Sequence, residues 1–318
     1  MKNKLFILAL AALMCLFLVA CSAGKSGAEF TVGICQLAQH EALDAATKGF
    51  RDALTEALGE RVRFDEQNAS GEAANCSSII NGFLSEKVDL ILANATSPLQ
   101  AAASATKDVP ILGTSITDYA SALDLDDFTG TVGGNVSGTS DLAPLKDQAA
   151  MVKEWFPGAK TVGLLFCSSE SNSRFQVDVM QGELEQLGYA CRLFAFTDTN
   201  DVASVTQAAC DSSDVIYIPT DNTAANHAET IANVVMPARV PVIAGEAGLC
   251  RGCGVATLSI SYYDLGFATG QMAAKILTGE KSISEMPVQY APQVTKLFSP
   301  VNCEALGLTP PEGYEPMD

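Results

Sequence analysis

Histidine and tryptophan are almost absent from this sequence: 318 residues contain 2 His and 1 Trp. Two histidines leave little room for a His-rich metal site, so no metal is expected. Basic residues are scarce too, 19 Lys plus Arg against 37 Asp plus Glu, for a formal net charge of −18. Nucleic-acid binding wants a basic face, which excludes that partner class. No G-x-S-x-G elbow occurs and no H-E-x-x-H, since His40-Glu41 is followed by Asp44 where the second His would stand. A hydrolase lacks its usual constellations here, and neither catalysis nor a cofactor is expected. Ala23-Gly24-Lys25-Ser26 resembles the end of a P-loop, but Val19 stands where the first Gly belongs and no strand precedes it.

Long apolar runs are limited to one. Leu5 to Val19 follows Lys2 and Lys4, too short and wrongly flanked to span a bilayer. It ends in Leu18-Val19-Ala20-Cys21, which resembles the bacterial lipobox, where the Cys is lipidated and becomes residue one. Residues 1–20 then read as a cleaved signal peptide, Cys21 as the lipidation site and 21–29 as lipidated Cys and tether. Cleavage removes two lysines and no acid, so the mature chain is more acidic still. The expected place is outside the cytoplasmic membrane, held to it by lipid only.

What remains is ordinary for a globular chain, with 48% apolar and 18% charged residues, and it is long enough for one large or two ordinary domains. Eight cysteines lie beyond Cys21: 35, 76, 167, 191, 210, 250, 253 and 303. An even count outside the membrane invites disulfides whose pairing is unreadable. Cys35, Cys167 and Cys191 fall in or beside strand-like runs, where burial as small apolar residues is the simpler reading. Cys250-Arg-Gly-Cys253 lacks the second pair that zinc would need, which leaves a local disulfide or two free thiols.

Strand and helix patterns alternate. Phe30 to Cys35 is a strand, residues 40–58 an amphipathic helix closed by Gly59, and Val62 to Phe64 a short strand. Val88 to Ala93 is continuously apolar, as a strand buried on both faces would be. An Ala-rich helix from Ser97 and a strand over Val109 to Gly113 follow. The pattern restarts near Thr131: helix 142–156, strand 161–167, a helix with Val177, Met180, Leu184 and Leu187 on one face, strand 189–196, helix 201–210, strand 215–218, helix 222–236 and strand 240–244. Val255 to Ile260 is a further strand and 262–278 a helix. The fold class is α/β with two parallel sheets.

In such sheets ligands bind beyond the carboxyl ends of strands, where helix N-termini point. The polar loops there are Gln36-Leu-Ala-Gln39-His40, Asn94-Ala-Thr96-Ser97-Pro98, Thr114 to Asp118, Ser168 to Ser173, Thr220-Asp221-Asn222 and Glu246. Each holds ordinary helix-capping residues, but together they line one edge of each sheet. Their chemistry suits a zwitterion. Thr96 and Ser97 at a helix start can hold a carboxylate, Asp221 with Glu170 or Glu246 can pair with an ammonium, and Gln36 and Asn222 can bond to either.

The stretches GICQLAQHEALDAATKGF, ILANATSPLQ, TSITD, GNVSGTSD, SSESNS, IPTDN and Tyr263-Asp264-Leu265-Gly266, in that order, resemble substrate-binding lipoproteins of ABC importers in the tryptophan/tyrosine branch. The likeness covers nearly all of residues 30–300. It implies a type I periplasmic-binding-protein fold: two Rossmann-like lobes joined by a three-crossing hinge, closing on a ligand. It implies lobe 1 from 30–117 plus 246–282 and lobe 2 from 118–245 plus 283–318. Ligand contacts carried over are Gln36, Thr96, Ser97, Glu170, Asn172, Ser173, Asp221, Asn222 and Glu246, with the hinge at Thr117 and Asp118. The implied partners are a small molecule, an aromatic amino acid in the first place, and an ABC permease with its cytoplasmic ATPase. A non-aromatic ligand, or a sensory role through a membrane receptor, fits the same residues. Tyr119, Phe175 and Tyr262 are candidates for a ring to stack on a bound side chain, and Trp155 for a packing residue.

Overall fold

The computed structural model describes residues 27–291 and 293–317. The expected signal peptide, the expected lipidation site Cys21 and most of the expected tether lie outside the described residues. The first lobe is built on β1 (Phe30–Gln36), β2 (Val62–Asn68), β3 (Leu90–Asn94), β4 (Ile111–Ile116) and β5 (Val136–Ser140). Its helices are α1 (Glu41–Leu58), α2 (Ala73–Glu86), α3 (Thr96–Ala105) and α4 (Tyr119–Leu123). The second lobe carries α5 (Leu145–Trp155), β6 (Thr161–Cys167), α6 (Ser171–Gln186), β7 (Ala190–Phe196), α7 (Val202–Cys210) and β8 (Val215–Ile218). It continues with α8 (Asn222–Asn226), α9 (Ala228–Ala238), β9 (Val242–Ala244), α10 (Ala247–Cys253) and β10 (Ala256–Ser259). Then α11 (Tyr262–Leu277) and β11 (Gln289–Tyr290) return to the first lobe, and β12 (Thr295–Phe298), α12 (Pro300–Leu306) and β13 (Glu315–Pro316) close the second.

The sheet orders are β11-β5-β4-β3-β1-β2 and β13-β12-β10-β9-β8-β6-β7. Every pairing is parallel except β10 with β12. The central strands are buried on both faces, as their unbroken apolar runs require: Leu90, Ile91, Leu92 and Ala93 in one sheet, Val215 to Ile218 in the other. This is the two-lobed α/β architecture that the resemblance implied.

Sheet membership redraws the lobes. β5, expected in lobe 2 as part of 118–245, pairs with β4 in the first sheet. β10, expected in lobe 1 as part of 246–282, pairs with β9 and β12 in the second, and β11 of the 283–318 segment pairs with β5. The chain therefore crosses at residues 141–144, at 260–261 and between β11 and β12. It does not cross at Thr117–Asp118, because α4 and β5 stay in the first lobe; Asp118 instead caps α4, accepting Ser121 N–H at 2.7 Å. β5 escaped notice because Val136-Ser-Gly-Thr-Ser140 has one large apolar residue. Its hydroxyls are buried against protein: Ser137 on the Met286 carbonyl at 2.9 Å, Thr139 on Thr269 Oγ1 at 2.8 Å.

The helix expected over 222–236 is broken at His227, whose φ of −118° and ψ of 24° end α8 and start α9. The strand expected at 109–113 lies at β4, two to three residues later. The quoted Tyr-Asp-Leu-Gly stretch gains a physical reason: α11 crosses α1 so closely that a Cβ on Gly266 would fall 1.9 Å from the Ala46 carbonyl oxygen. The eight described cysteines are free, and Cys250 and Cys253 are buried on α10.

Candidate functional site

The carboxyl ends of both sheets face one cleft, and the lobes meet across it. His40, the N-cap position of α1, places Nε2 3.2 Å from Asn222 Oδ1 at the start of α8. Beside it Glu41 and Arg251 form an ion pair between α1 and α10. The lobes are therefore closed on each other. At this rim Leu37, Ala38, Gly71, Asn222, Thr223 and His227 enclose only about 50 Å³, room for a water or two. A larger hollow of about 610 Å³ lies on lobe 1 by Lys107, Asp124 and Asn135, and none of the strand-end residues line it.

Most of the expected ligand residues are occupied by protein. Glu170 takes Asn222 N–H at 3.0 Å and Nδ2 at 2.7 Å on one oxygen, and Thr223 N–H at 2.8 Å and Oγ1 at 2.7 Å on the other. Asn172 adds a further donor to Glu170 at 3.1 Å and reaches the Thr220 carbonyl and Ser173 Oγ. Asp221 accepts Cys167 N–H at 2.6 Å and caps α8 through Ala224 N–H at 2.8 Å. Burial, and the nearby Glu170 charge, push its carboxyl up to about 7 against these bonds and one from Ser173. Glu246 caps α10 by accepting Gly248 N–H at 2.6 Å and Leu249 N–H, and burial pushes it up to about 7 as well. Gln36 donates to the Ala38 carbonyl and Asp44 and accepts from Thr47, which pins the end of β1 to α1. All are at the cleft edge of their strands, but these three acids are satisfied from within.

Thr96 and Ser97 differ. They open α3, whose N-cap is Ala95, a residue with no side chain to cap and with φ at 100°. The helix thus presents its first N–H groups without a side-chain acceptor. Next to it Asn94 spends Nδ2 on the Leu43 carbonyl at 2.8 Å and on Thr47 at 2.9 Å, while its buried Oδ1 has no partner. Three other buried polar atoms in this region share that condition: Ser115 Oγ near the end of β4, Asp141 Oδ1 after β5, and His40 Nδ1 after β1. Ser115 is held at φ of 57°, an uncommon backbone for a non-glycine residue.

Asp141, which sequence reasoning missed, is 4% exposed and takes Tyr262 Oη–H on Oδ2 at 2.9 Å. Burial raises its carboxyl above the usual range, while the Tyr262 and Thr117 hydroxyls pull it back. The only signal for it was the GNVSGTSD stretch, where it ends a strand without apolar periodicity. Of the candidate rings, Tyr119 is fully buried with its hydroxyl on the Gly113 and Thr139 carbonyls, Tyr262 stands at the cleft, and Phe175 is half-buried on α6. No group of His, Cys, Asp and Glu among the described residues is arranged to hold a metal.

Residues 31–313 match the family model described as ABC transporter substrate binding protein. A tyrosine-binding protein of Clostridioides difficile (strain R20291) is 34% identical over 280 residues, 87% of this chain and 81% of that protein. The structure of an ABC domain in complex with L-Trp from Streptococcus pneumoniae is 31% identical with a TM-score of 0.85, over 90% of this chain and 96% of that one. A ligand-free, open substrate-binding protein with adhesive properties from Clostridium difficile is 36% identical over 91% and 99% of the chains, with a TM-score of 0.69. Higher identity with lower superposition is what a different lobe angle produces.

Proposed function

The chain belongs to the ABC transporter substrate-binding protein family, and we propose that it captures a small ligand, an aromatic amino acid, between its lobes and delivers it to an importer permease. Proteins of this family are extracytoplasmic, and none of the described helices is long and apolar enough to cross a membrane. The observation that supports the ligand class is the set of unpartnered polar groups at the strand ends of the first lobe: acceptors at Asn94 and Asp141 beside the uncapped start of α3 at Thr96 and Ser97. Acceptors beside free N–H donors match a zwitterion. The two relatives named for tyrosine and tryptophan add the aromatic side chain. The protein binds and releases; turnover is not part of the reading. Ligand that touches both lobes favours the closed state, because only that state makes both sets of contacts.

The test is calorimetric titration of the lipid-free protein, from residue 22, with each of the twenty amino acids. Tyrosine, tryptophan or phenylalanine should bind and the polar amino acids should not. Binding of a different class alone overturns the aromatic assignment. We further propose that Cys21 carries the lipid anchor. Cys21→Ser expressed in a bacterial host should then move the protein from the membrane to the soluble fraction and abolish palmitate labelling; labelling that persists overturns the anchor.

A further inference from the structure

Asp141 is the last residue before the chain leaves the first lobe, and Tyr262 is the first helical residue after it returns. Their bond at 2.9 Å ties two of the three crossings together. The backbone at Asp141 is fixed as well, its N–H on the Ile116 carbonyl at 3.0 Å. One carboxylate oxygen is thereby held and the other, Oδ1, is buried without a hydrogen bond, the Thr117 hydroxyl being the further polar group that acts on this carboxylate. None of the ion pairs among the described residues involves it. A buried carboxylate without a cation is costly, so the closed cleft is incomplete at this point. Its surroundings hold unpartnered oxygens too: Asn94 ends β3, Ser115 is the penultimate residue of β4 and Asp141 directly follows β5, three adjacent strands of one sheet. The need is for a donor with several hydrogens and a positive charge. Glu170 already accepts five donors, while Asp221 and Glu246 each hold backbone N–H groups on both oxygens, whereas Asp141 Oδ1 holds none.

We propose that Asp141, positioned by the Tyr262 hydroxyl, is the counter-charge for the ligand's primary ammonium, with acceptors from Asn94 and Ser115 beside it. This deepens the amino-acid reading above and rests on it. A cation at this place bears on the two hinge crossings at once, so its capture and the closing of the lobes are one event.

The experiment compares L-tyrosine and L-tryptophan with 3-(4-hydroxyphenyl)propionate and indole-3-propionate, which keep the ring and carboxylate but lack the ammonium. In calorimetry the wild-type protein should prefer the amino acids by about 100-fold. Asp141→Asn should lose about that factor for the amino acids and little for the deaminated acids, so that the preference collapses. Tyr262→Phe, which keeps the carboxylate, should lose a smaller factor in the same direction. Thermal unfolding and circular dichroism of both variants report folding, and the wild-type comparison of the four probes needs no variant. If wild-type binds the amino acids and their deaminated analogues equally, or if Asp141→Asn keeps the preference, the counter-charge is overturned and the amino-acid reading stands. If wild-type binds none of the aromatic amino acids, that reading falls and takes the counter-charge with it.

Discussion

His40 Nε2 and Asn222 Oδ1, 3.2 Å apart, belong to different lobes and meet only because the cleft is shut. Asn222 is also a donor to Glu170, so the bond connects α1 of the first lobe to the network that holds α6 and α8 of the second. The ion pair of Glu41 and Arg251 lies beside it. A contact made in one state and not the other shifts the equilibrium by its own differential energy.

Asn222→Ala should therefore weaken closure. A net hydrogen bond contributes about 1 kcal/mol, so ligand affinity should fall by about five- to tenfold. Small-angle scattering of the unliganded variant should show a larger radius of gyration than wild-type. An unchanged radius and affinity would show that the contact does not act as a latch. The Glu41–Arg251 pair is exposed on both sides, so Arg251→Ala should cost less, and its effect should shrink in high salt.

The second prediction concerns pH. Glu246 in the folded protein titrates at about 7, above its ordinary 4.5. Between those values the folded state binds the proton and the unfolded state does not. Stability tied to this group is therefore greatest at low pH within that window and is lost as pH rises toward about 7. Glu246→Gln keeps an acceptor for only one of the Gly248 and Leu249 N–H groups, a loss that does not vary with pH, and cannot ionise. Its unfolding midpoint relative to wild-type should rise from pH 5 to about pH 7 and level off above it. A constant difference across that range would falsify the assignment of a raised value to Glu246.

Gly266→Ala tests the crossing of α1 and α11. The added Cβ would lie 1.9 Å from the Ala46 carbonyl, and backbone cannot step aside as a side chain can. Overpacking of this kind costs about 1–3 kcal/mol or more. Urea unfolding should give a lower midpoint with an unchanged slope. Because α11 also carries Tyr262, a shift in ligand affinity should accompany the loss.

Free thiols make the fourth prediction. All eight described cysteines are unpaired, and only Cys191 is not buried. Ellman's reagent should label the native protein slowly, at Cys191 first, and the protein unfolded in guanidinium at all eight positions. A reducing agent should leave the unfolding midpoint where it was. Fewer than eight reactive thiols after unfolding, restored by reduction, would reveal a disulfide.

Local pattern was enough for the alternation of strands and helices, because burial on both faces of a parallel strand and on one face of a helix leaves a periodic trace in the chain itself. It served for β1, β3, β6, β8 and α1, and for the polar loops that follow them. It failed at β5, where small hydroxyl residues are buried by bonding to other segments; it found the β10 strand, but could not tell its sheet, which is set by pairing with β9 and β12. The candidate site divides in the same way. Chemical type and place beyond a strand marked Thr96, Ser97, Glu170, Asp221 and Glu246 as equals. Whether an acid is free for a ligand depends on donors far along the chain: Asn222 and Thr223 for Glu170, Cys167 for Asp221, Tyr262 for Asp141. Sequence alone determined the two-sheet fold and the polar loops that follow its strands, because hydrophobic periodicity is local. Only the tertiary structure decided where the lobes divide and which carboxylate remains unspent, because strand pairing and hydrogen-bond satisfaction join residues that the chain keeps far apart.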